Sequence, residues 1–334
     1  MDLPLEPQRP AAGSNISVVV PMFNEAEVLP AFHRRLRAAL APWADTLEVV
    51  YVDDGSSDAS AQTVRALRES DPTIALLRLS RNFGKEIALS AGLQVACGSA
   101  VVVIDADLQD PPELIPSMIE QWQRGFDMVL MRRRERHGES WFKRASAHVF
   151  YRLLNRLGEI DIPEDVGDFR LMSRRVVDAL NAMPERQRYM KGLFAWVGFP
   201  QVTILYDRPA RAAGTAVQNY RRLWSLAGEG ITSFSVRPLR LASLVGVATS
   251  TMALAATAYF VAKTLLYGDP VQGFPTLIVA ILLLGGLQLL SIGLLGEYLG
   301  RMFVETKRRP LYLHQEYLPS TQSAACAVPV RRNE

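Results

Sequence analysis

At 334 residues the chain has room for one large domain or two smaller ones and can bury a full core. Its net charge of +3 is too small for the strongly basic surface that nucleic acid demands, so a nucleic-acid partner is not expected. The two cysteines, Cys97 and Cys326, lie far apart in sequence and setting, which excludes a disulfide framework and suits free thiols in a reducing compartment.

The first fifteen residues, MDLPLEPQRPAAGSN, have no apolar core and read as a loose tail rather than a signal peptide. A β-branched strand is expected over 16–21, and apolar Val28, Leu29, Phe32, Leu36 and Leu40 recur at helical spacing through 25–40. Strand 47–52 runs into Asp53 and Asp54, and Gly55, Ser56, Ser57 and Asp58 turn the chain into helix 59–70. Strand 74–79, helix 85–97 and strand 100–104 follow. This alternation predicts a mostly parallel, doubly wound α/β sheet. Further candidates are strand 126–131, helix 139–157, strand 166–171, a helix from 174 to 183, an apolar stretch 193–199 and strand 202–206.

Arginines with Trp224 and Phe234 between 219 and 240 suit a helix lying at headgroup level, a linker helix packed on the soluble domain being the alternative. Residues 241–262 and 273–296 carry no charge, and each run is long enough for a helix to cross a hydrocarbon core about 30 Å thick. A link near 267–271 makes them a hairpin. Arg237 and Arg240 precede it, while Arg301, Lys307, Arg308 and Arg309 follow, so both flanks, both termini and the soluble domain are expected in the cytoplasm, against the inner membrane. Gly285 and Gly286 would admit close helix packing in a homo-oligomer, or are ordinary membrane-helix glycines. The expected divisions are a tail (1–15), an α/β domain (16–215), juxtamembrane helices (216–240), two transmembrane helices (about 241–264 and 273–297, within 241–299) and a C-terminal tail (300–334).

The polar motifs fall where strands end. In an extended segment i and i+2 face the same way, so Asp105 and Asp107 are expected to present two carboxylates at the C-terminal end of a buried strand. Open α/β sheets bind ligands at that edge, and paired hard oxygens there suit Mg²⁺ or Mn²⁺ holding a diphosphate. A turn or capping role is the alternative. Lys85 follows Gly84 at a helix start, where free N–H groups favour an anion; an exposed helix lysine is the alternative. Asp110 and Glu113 suit capping of a helix starting at Pro111 or Pro112.

Four motifs thus stand in order: VVVPMFNE, VVYVDDGSSD, SRNFGKEIALSAG and VIDADLQDPPE. Together they resemble glycosyltransferase family 2. With VGDFRLMSRRVVDAL, GLFAWVGF, SFSVRPLR and the apolar pair, the chain is similar more narrowly to the polyprenyl-phosphate (undecaprenyl or bactoprenol phosphate) glycosyltransferases, relatives of dolichyl-phosphate mannose synthase. The resemblance spans 16–309. It implies a GT-A catalytic domain, Rossmann-like with a mostly parallel sheet, followed by a two-helix transmembrane hairpin. It also implies a nucleotide-sugar donor, Mg²⁺ or Mn²⁺, and a polyprenyl phosphate in the membrane lipid.

By the same resemblance, Pro21, Asn24 and Glu25 line ribose and base, Asp53 recognises the base, and Asp54 supports the turn. Asp105 and Asp107 form the metal pair, with Gln109 as a further ligand, Asp107 and Lys85 also serving the donor. Asp168 in GDFR stands where the family's base is assigned. A lipid phosphate is already ionised at neutral pH, so Asp168 is expected to orient the acceptor or stabilise oxocarbenium character. Arg170, two residues on, is expected to supply a compensating cation. Among Arg132, Arg133, Arg134, Arg136, Lys143 and Arg144, Arg133 is expected to touch a phosphate, with docking on anionic lipid as the alternative for the rest. Arg211 opens an RxxG element that the family continues with Ser or Thr, then Lys and an aromatic. Here GTAVQNYRRLW lacks that lysine and Tyr220 comes late, which bears on the acceptor loop and the sugar preference.

The implied reaction is an inverting, single-displacement transfer of a hexose, with UDP-glucose the expected donor, to undecaprenyl phosphate at the cytoplasmic membrane face. The product would be a lipid-linked sugar for modifying lipopolysaccharide or another cell-surface glycan. Inversion follows from one carboxylate, Asp168, being placed at the anomeric carbon. A processive polysaccharide synthase is one alternative; ERQRYMKG in place of its QxxRW motif, and two spans only, stand against it. A non-catalytic, membrane-anchored nucleotide-sugar binding protein is another, against which Asp105, Asp107 and Asp168 stand.

Overall fold

The centre of the sheet is made by runs of aliphatic and β-branched residues. β1 (Ile16–Met22, ISVVVPM) and β2 (Leu47–Asp53, LEVVYVD) are buried from end to end, as parallel strands covered on both faces must be. The computed structural model describes residues 15–134, 166–186, 188–207 and 273–321, with scattered positions between 245 and 266. In it β1 lies between β2 and β4 (Ala100–Val103), and β2 pairs with β3 (Ile74–Leu79), all in parallel. Helices α1 (Leu29–Ala39), α2 (Ser60–Ser70) and α3 (Lys85–Val95) make the crossovers, and α4 (Ile115–Gln123) follows β4.

Small residues let α3 come close. A Cβ on Gly92 would lie 2.3 Å from Val19 Cγ1 and 2.9 Å from Val52 Cγ2, so the helix seats directly on β1 and β2. That seat fixes the first turn of α3 above the strand ends.

The eight strands run in the order β7-β5-β6-β4-β1-β2-β3-β8. β5 (Met128–Arg133) and β7 (Gln201–Tyr206) are parallel, while β6 (Val166–Ser173) is wedged antiparallel between β4 and β5. Helices α5 (Arg174–Ala182) and α6 (Met190–Trp196) link β6 to β7. The sheet is mostly parallel, as the alternation predicts, with β6 and the last strand reversed.

That last strand, β8 (His314–Leu318), pairs antiparallel with β3 and corrects the expected 300–334 tail. Arg65 donates to Glu316 at 2.5 Å, Arg68 to the Pro319 carbonyl at 2.8 Å and Ser320 to buried Glu48 at 3.1 Å. Another part of that stretch ends α7 (Phe274–Thr306).

The chain divides into two compact units, one of 1–151, 161–219 and 309–334 that holds the sheet, the other of 152–160 and 220–308 that holds α7. Counted over the described residues, no helix is long and apolar enough to cross a membrane. α7 is nonetheless 33 residues long, with some side chains outside that description, and its sequence is uncharged from Phe274 to Gly296. Residues 1–14 of the expected 1–15 tail, helix 139–157, interfacial segment 216–240 and half of the first apolar run lie outside the described residues, as do Arg136, Lys143, Arg144 and Arg211.

On α1, His33 is buried between Tyr51 and Asp71. Its Nδ1 is 3.0 Å from the Tyr51 hydroxyl and its Nε2 3.2 Å from Asp71 Oδ2, which assigns a neutral ring accepting from Tyr51 and donating to Asp71. Burial lowers the His33 pKa below 6.5, against the pull of Asp71. A histidine with a depressed folded-state pKa contributes stability above its unfolded value, and that contribution is lost as pH falls from about 6.5 toward the folded value. The melting temperature in detergent is therefore expected to drop by a few degrees between neutral pH and mildly acidic pH, and His33→Gln to flatten that slope. An equal slope in both proteins would assign the drop elsewhere.

Candidate active site

β1, β2 and β4 end together, and their loops are stitched to one another. Beyond β1, Asn24 takes a left-handed backbone (φ 57°), and its Oδ1 accepts the Ser57 N–H at 2.9 Å. The Asn24, Glu25 and Ala26 N–H groups donate to Ser56 Oγ, Ser60 Oγ and Asp58 Oδ2 at 3.0, 2.9 and 3.2 Å. Pro21 stands opposite Val52, one register step before Met22 meets Asp53. Asp53 is fully buried, accepts the Ser56 N–H at 2.8 Å and has Arg78 Nε 3.2 Å from its other oxygen. Of the four residues expected around ribose and base, Pro21 and Asp53 thus lie at the adjoining ends of β1 and β2, and Asn24 and Glu25 in the loop that follows β1.

Asp54 accepts the N–H groups of Phe83 and Gly84 at 2.7 and 2.9 Å. Its side chain therefore holds the next loop rather than its own turn, which Asp53 closes, and sets Gly84 (φ 99°) at the start of α3. Lys85 comes immediately after. Its Nζ lies 2.7 Å from Asp105 Oδ1 and 2.6 Å from Asp168 Oδ2, so one ammonium joins a carboxylate of the turn after β4 to one on β6.

Topology explains how they meet. β6 runs against β4 with Arg170 opposite Val103, so Asp168, two residues upstream on β6, lies past the end of β4 where Asp105 emerges. The strand argument for Asp105 and Asp107 needs correction, because β4 stops at Val103 and both lie in the turn beyond it. A left-handed Leu108 (φ 59°) and the Gln109 N–H donated to Asp107 Oδ1 at 3.0 Å shape that turn. Gln109 itself is buried.

Burial raises the pKa of Asp105, and neighbouring Asp168 and Asp107 push the same way against Lys85. For Asp168 burial works against ionisation too, but Lys85, aided by Lys191 and Arg170, wins and holds it below the usual carboxylate range. Lys85 loses some of its charge preference to burial and regains more from Asp105 and Asp168, so it stays protonated. Asp168 Oδ1 is buried without a hydrogen-bond partner among the described residues.

Arg170 supplies the expected compensating charge, but from inside the protein. It is 3% exposed, donates to the Gly167 carbonyl at 2.7 Å and stacks 3.7 Å from the centroid of the Phe194 ring. Burial lowers its pKa to about 10, with Asp168 and Glu86 opposing. It acts as a fixed internal countercharge rather than an open phosphate ligand. Arg133 closes β5 opposite Tyr206 on β7, and hydrogen-bonds the Tyr206 hydroxyl, which itself donates to Asp110 at 2.5 Å. Asp110 and Glu113 are not caps: Pro111 leads a short 3₁₀ turn with no side-chain cap, and Glu113 makes a two-bond pair with Arg35 of α1 at 2.8 and 2.8 Å. Arg134 pairs with Asp207 at 3.6 Å, both exposed.

Two groups escaped the sequence reading. Glu86, next to Lys85, accepts the Met190 N–H at 3.2 Å, and burial beside Asp168 pushes its carboxyl up to about 7. Lys191 is the single charge in the apolar α6. A lysine inside an otherwise apolar helix was the available signal.

Among the described residues no group of three or more His, Cys, Asp or Glu stands together as a ready metal site. What the arrangement offers is a carboxylate pair at a strand-end turn, joined through an ammonium to a third, partly unpartnered carboxylate.

Comparison with known proteins adds two family matches: glycosyl transferase family 2 over residues 17–180, and the GtrB C-terminal hairpin over 237–302. The chain is 48% identical over 300 residues to the bactoprenol glucosyl transferase of Shigella phage SfV, covering 89% of this chain and 97% of that one. It is 47% identical over 298 residues to a prophage bactoprenol glucosyl transferase homolog of Escherichia coli, covering 89% and 97%. An uncharacterized glycosyltransferase of Synechocystis is 48% identical over 309 residues, covering 91% and 97%.

Proposed function

This chain is a member of glycosyl transferase family 2, and from that we infer that it transfers glucose from UDP-glucose to bactoprenol (undecaprenyl) phosphate at the cytoplasmic face of a membrane. The observation that carries the chemistry is the meeting of Asp105 and Asp168 at the Lys85 ammonium, which joins a donor-side carboxylate to a sugar-side one. The near full-length likeness to bactoprenol glucosyl transferases supports the acceptor. The hairpin match over 237–302, with arginines and lysines on both flanks, supports a membrane hairpin with the sheet domain on the cytoplasmic side.

Asn24, Glu25 and Asp53 form the nucleoside edge, with Pro21 beneath. The residues fit a divalent cation: Asp105 is a partly buried carboxyl crowded by Asp168 and Asp107, with Lys85 the one cation in direct contact with it among the described residues. Asp105 and Asp107, with Gln109 beside them, would hold Mg²⁺ or Mn²⁺, the remaining oxygens coming from the diphosphate. Bound there, the ion supplies neutralisation of charge on the departing diphosphate. Lys85, half-exposed and already poised between the carboxylates, gives the leaving diphosphate a second positive neighbour.

Asp168 stands at the sugar side, ionised across neutral pH. The acceptor phosphate needs no base, so Asp168 acts by charge on the developing oxocarbenium and by orienting the acceptor. Asp168 is the one carboxylate this reading assigns to the anomeric carbon, Glu86 beside it being held by the Met190 N–H and pushed up to about 7, so the phosphate oxygen displaces UDP directly and the anomeric centre inverts. Arg133 and Arg211 are the further phosphate contacts of this reading.

The test uses membranes containing the protein, radiolabelled UDP-glucose and undecaprenyl phosphate. Label is expected in a lipid released by mild acid, lost with EDTA and restored by Mg²⁺ or Mn²⁺. Label in a polymer, or binding without transfer, would overturn the reaction; transfer only from another nucleotide sugar would overturn the donor.

A further inference from the structure

The acceptor side lacks an obvious cation once Arg170 is seen to be buried. A phosphomonoester arriving beside the Asp168 carboxylate meets like charge in a partly desolvated site, and must be matched by a positive group that is free to turn toward it. Lys85 is held by Asp105 and Asp168, and Arg170 by the Gly167 carbonyl and the Phe194 ring. Of the two arginines of ERQRYMKG, Arg186 lies five residues before Lys191 and outside α6, and Arg188 turns away and donates to the Leu180 and Met183 carbonyls at the end of α5 at 3.0 and 2.8 Å.

Lys191 remains. Its helix, α6, is fastened to the two elements that carry the site. The Met190 N–H donates to Glu86 on α3, the Ser90 hydroxyl reaches Met190 Sδ at 3.4 Å, and Phe194 stacks under Arg170 of β6. Met190, Gly192, Leu193 and Phe194 are buried, while Lys191 is only partly so. Among the described residues it makes no ion pair, although Asp168 and Glu86 are the carboxylates that act on it most strongly.

Resting on the transfer reaction inferred above, we propose that Lys191 binds the phosphate of the lipid acceptor beside Asp168. The side of the site decides between acceptor and donor. Lys85 stands in the middle: Asp105 and its neighbour Asp107 lie to one side, Asp168 with Glu86 and Lys191 to the other. The donor diphosphate belongs with Asp105 and Asp107, so an anion reaching Lys191 is the nucleophile. The helix also carries Trp196, 62% exposed, at its far end, so the same seven residues run from the carboxylate cluster to an outward apolar ring.

Full-length protein in detergent is assayed with UDP-glucose and undecaprenyl phosphate, each varied in turn. Wild-type transfer establishes the underlying reaction, and its absence would remove that premise rather than Lys191's place in it. Given transfer, Lys191→Met is expected to raise KM for undecaprenyl phosphate by about 10- to 100-fold, the value of one charge-assisted hydrogen bond, with KM for UDP-glucose within about 2-fold. Lys191→Arg, keeping the charge, should recover most of the loss, and Lys191→Gln serves if the methionine variant fails to fold. UDP-induced thermal stabilisation confirms that each variant is folded. An unchanged acceptor KM, or a rise confined to the UDP-glucose KM, would overturn the proposal.

Discussion

Asp168→Asn is expected to lower glucose transfer by about 10²–10³-fold, the range seen when one preorganised electrostatic contact to a transition state is removed. The substitution keeps shape and deletes charge. Three cations act on this carboxylate, Lys85 by direct contact at 2.6 Å and Lys191 and Arg170 by charge, and together they keep it ionised. Its second oxygen is buried and unpartnered among the described residues, so part of its hydrogen-bonding capacity is unused by the protein itself. An asparagine would offer an N–H to the cations and no charge to a developing oxocarbenium. The loss should fall on kcat, with UDP binding retained, because Asp53 and Asp105 are untouched. Steady-state kinetics with UDP binding as control checks this; a variant keeping more than about a tenth of wild-type kcat would move the sugar-side charge to another residue.

The second large effect is structural. Gly55→Ala is expected to destabilise the protein by about 3–5 kcal/mol, from about 1–2 for a left-handed backbone and the rest from lost hydrogen bonds. Gly55 has φ 73°, and a Cβ there would sit 2.5 Å from the Arg81 carbonyl carbon and 2.7 Å from the Asn82 nitrogen. Those neighbours are backbone and cannot rotate away. The β2 and β3 loops must part, and Asp54, the next residue back, would lose its hold on Phe83 and Gly84. Lys85 would then leave its place between Asp105 and Asp168. A melting temperature lower by about 6–15 °C is expected in detergent, together with reduced transfer. A melting temperature within 2 °C of wild type, taken as about the smallest shift worth reading, would show that the loops yield more easily than their contacts imply.

The parallel half of the fold was legible because each of its strands is a short buried run punctuated by turn residues. The 74–79 expectation matches β3 residue for residue, and β1 and β2 differ by one residue each. The antiparallel insertion of β6 was not legible, since VGDFRLMS carries strand character but nothing that names its neighbours; pairing is a long-range property. β8 was missed for a related reason. HQEYL is too polar to announce a strand, and what fixes it are partners some 250 residues away in sequence, such as Arg65 for Glu316. In the site, Lys85, Asp105 and Asp168 are brought together, whereas Asp54, expected to support its own turn, holds the Phe83–Gly84 loop. Arg170 does lend its charge to Asp168, but its depth was not foreseen, because alternation along a strand gives the face and not the covering, and here Phe194 covers it. Asp110 and Glu113 depart because Tyr206 and Arg35 offer better partners than a three-residue turn.

The lateness of β8 sets an order of events during synthesis. β3 is complete at Leu79, yet its partner begins at His314, after both uncharged stretches. At roughly 5–20 residues per second, translation separates the two strands by tens of seconds. Throughout that interval one edge of the sheet offers unsatisfied N–H and C=O groups, the kind of edge that recruits stray strands. The ribosome thus delivers the closing strand only once the apolar segments have emerged, so a nascent chain stalled within them leaves a sheet that lacks its border.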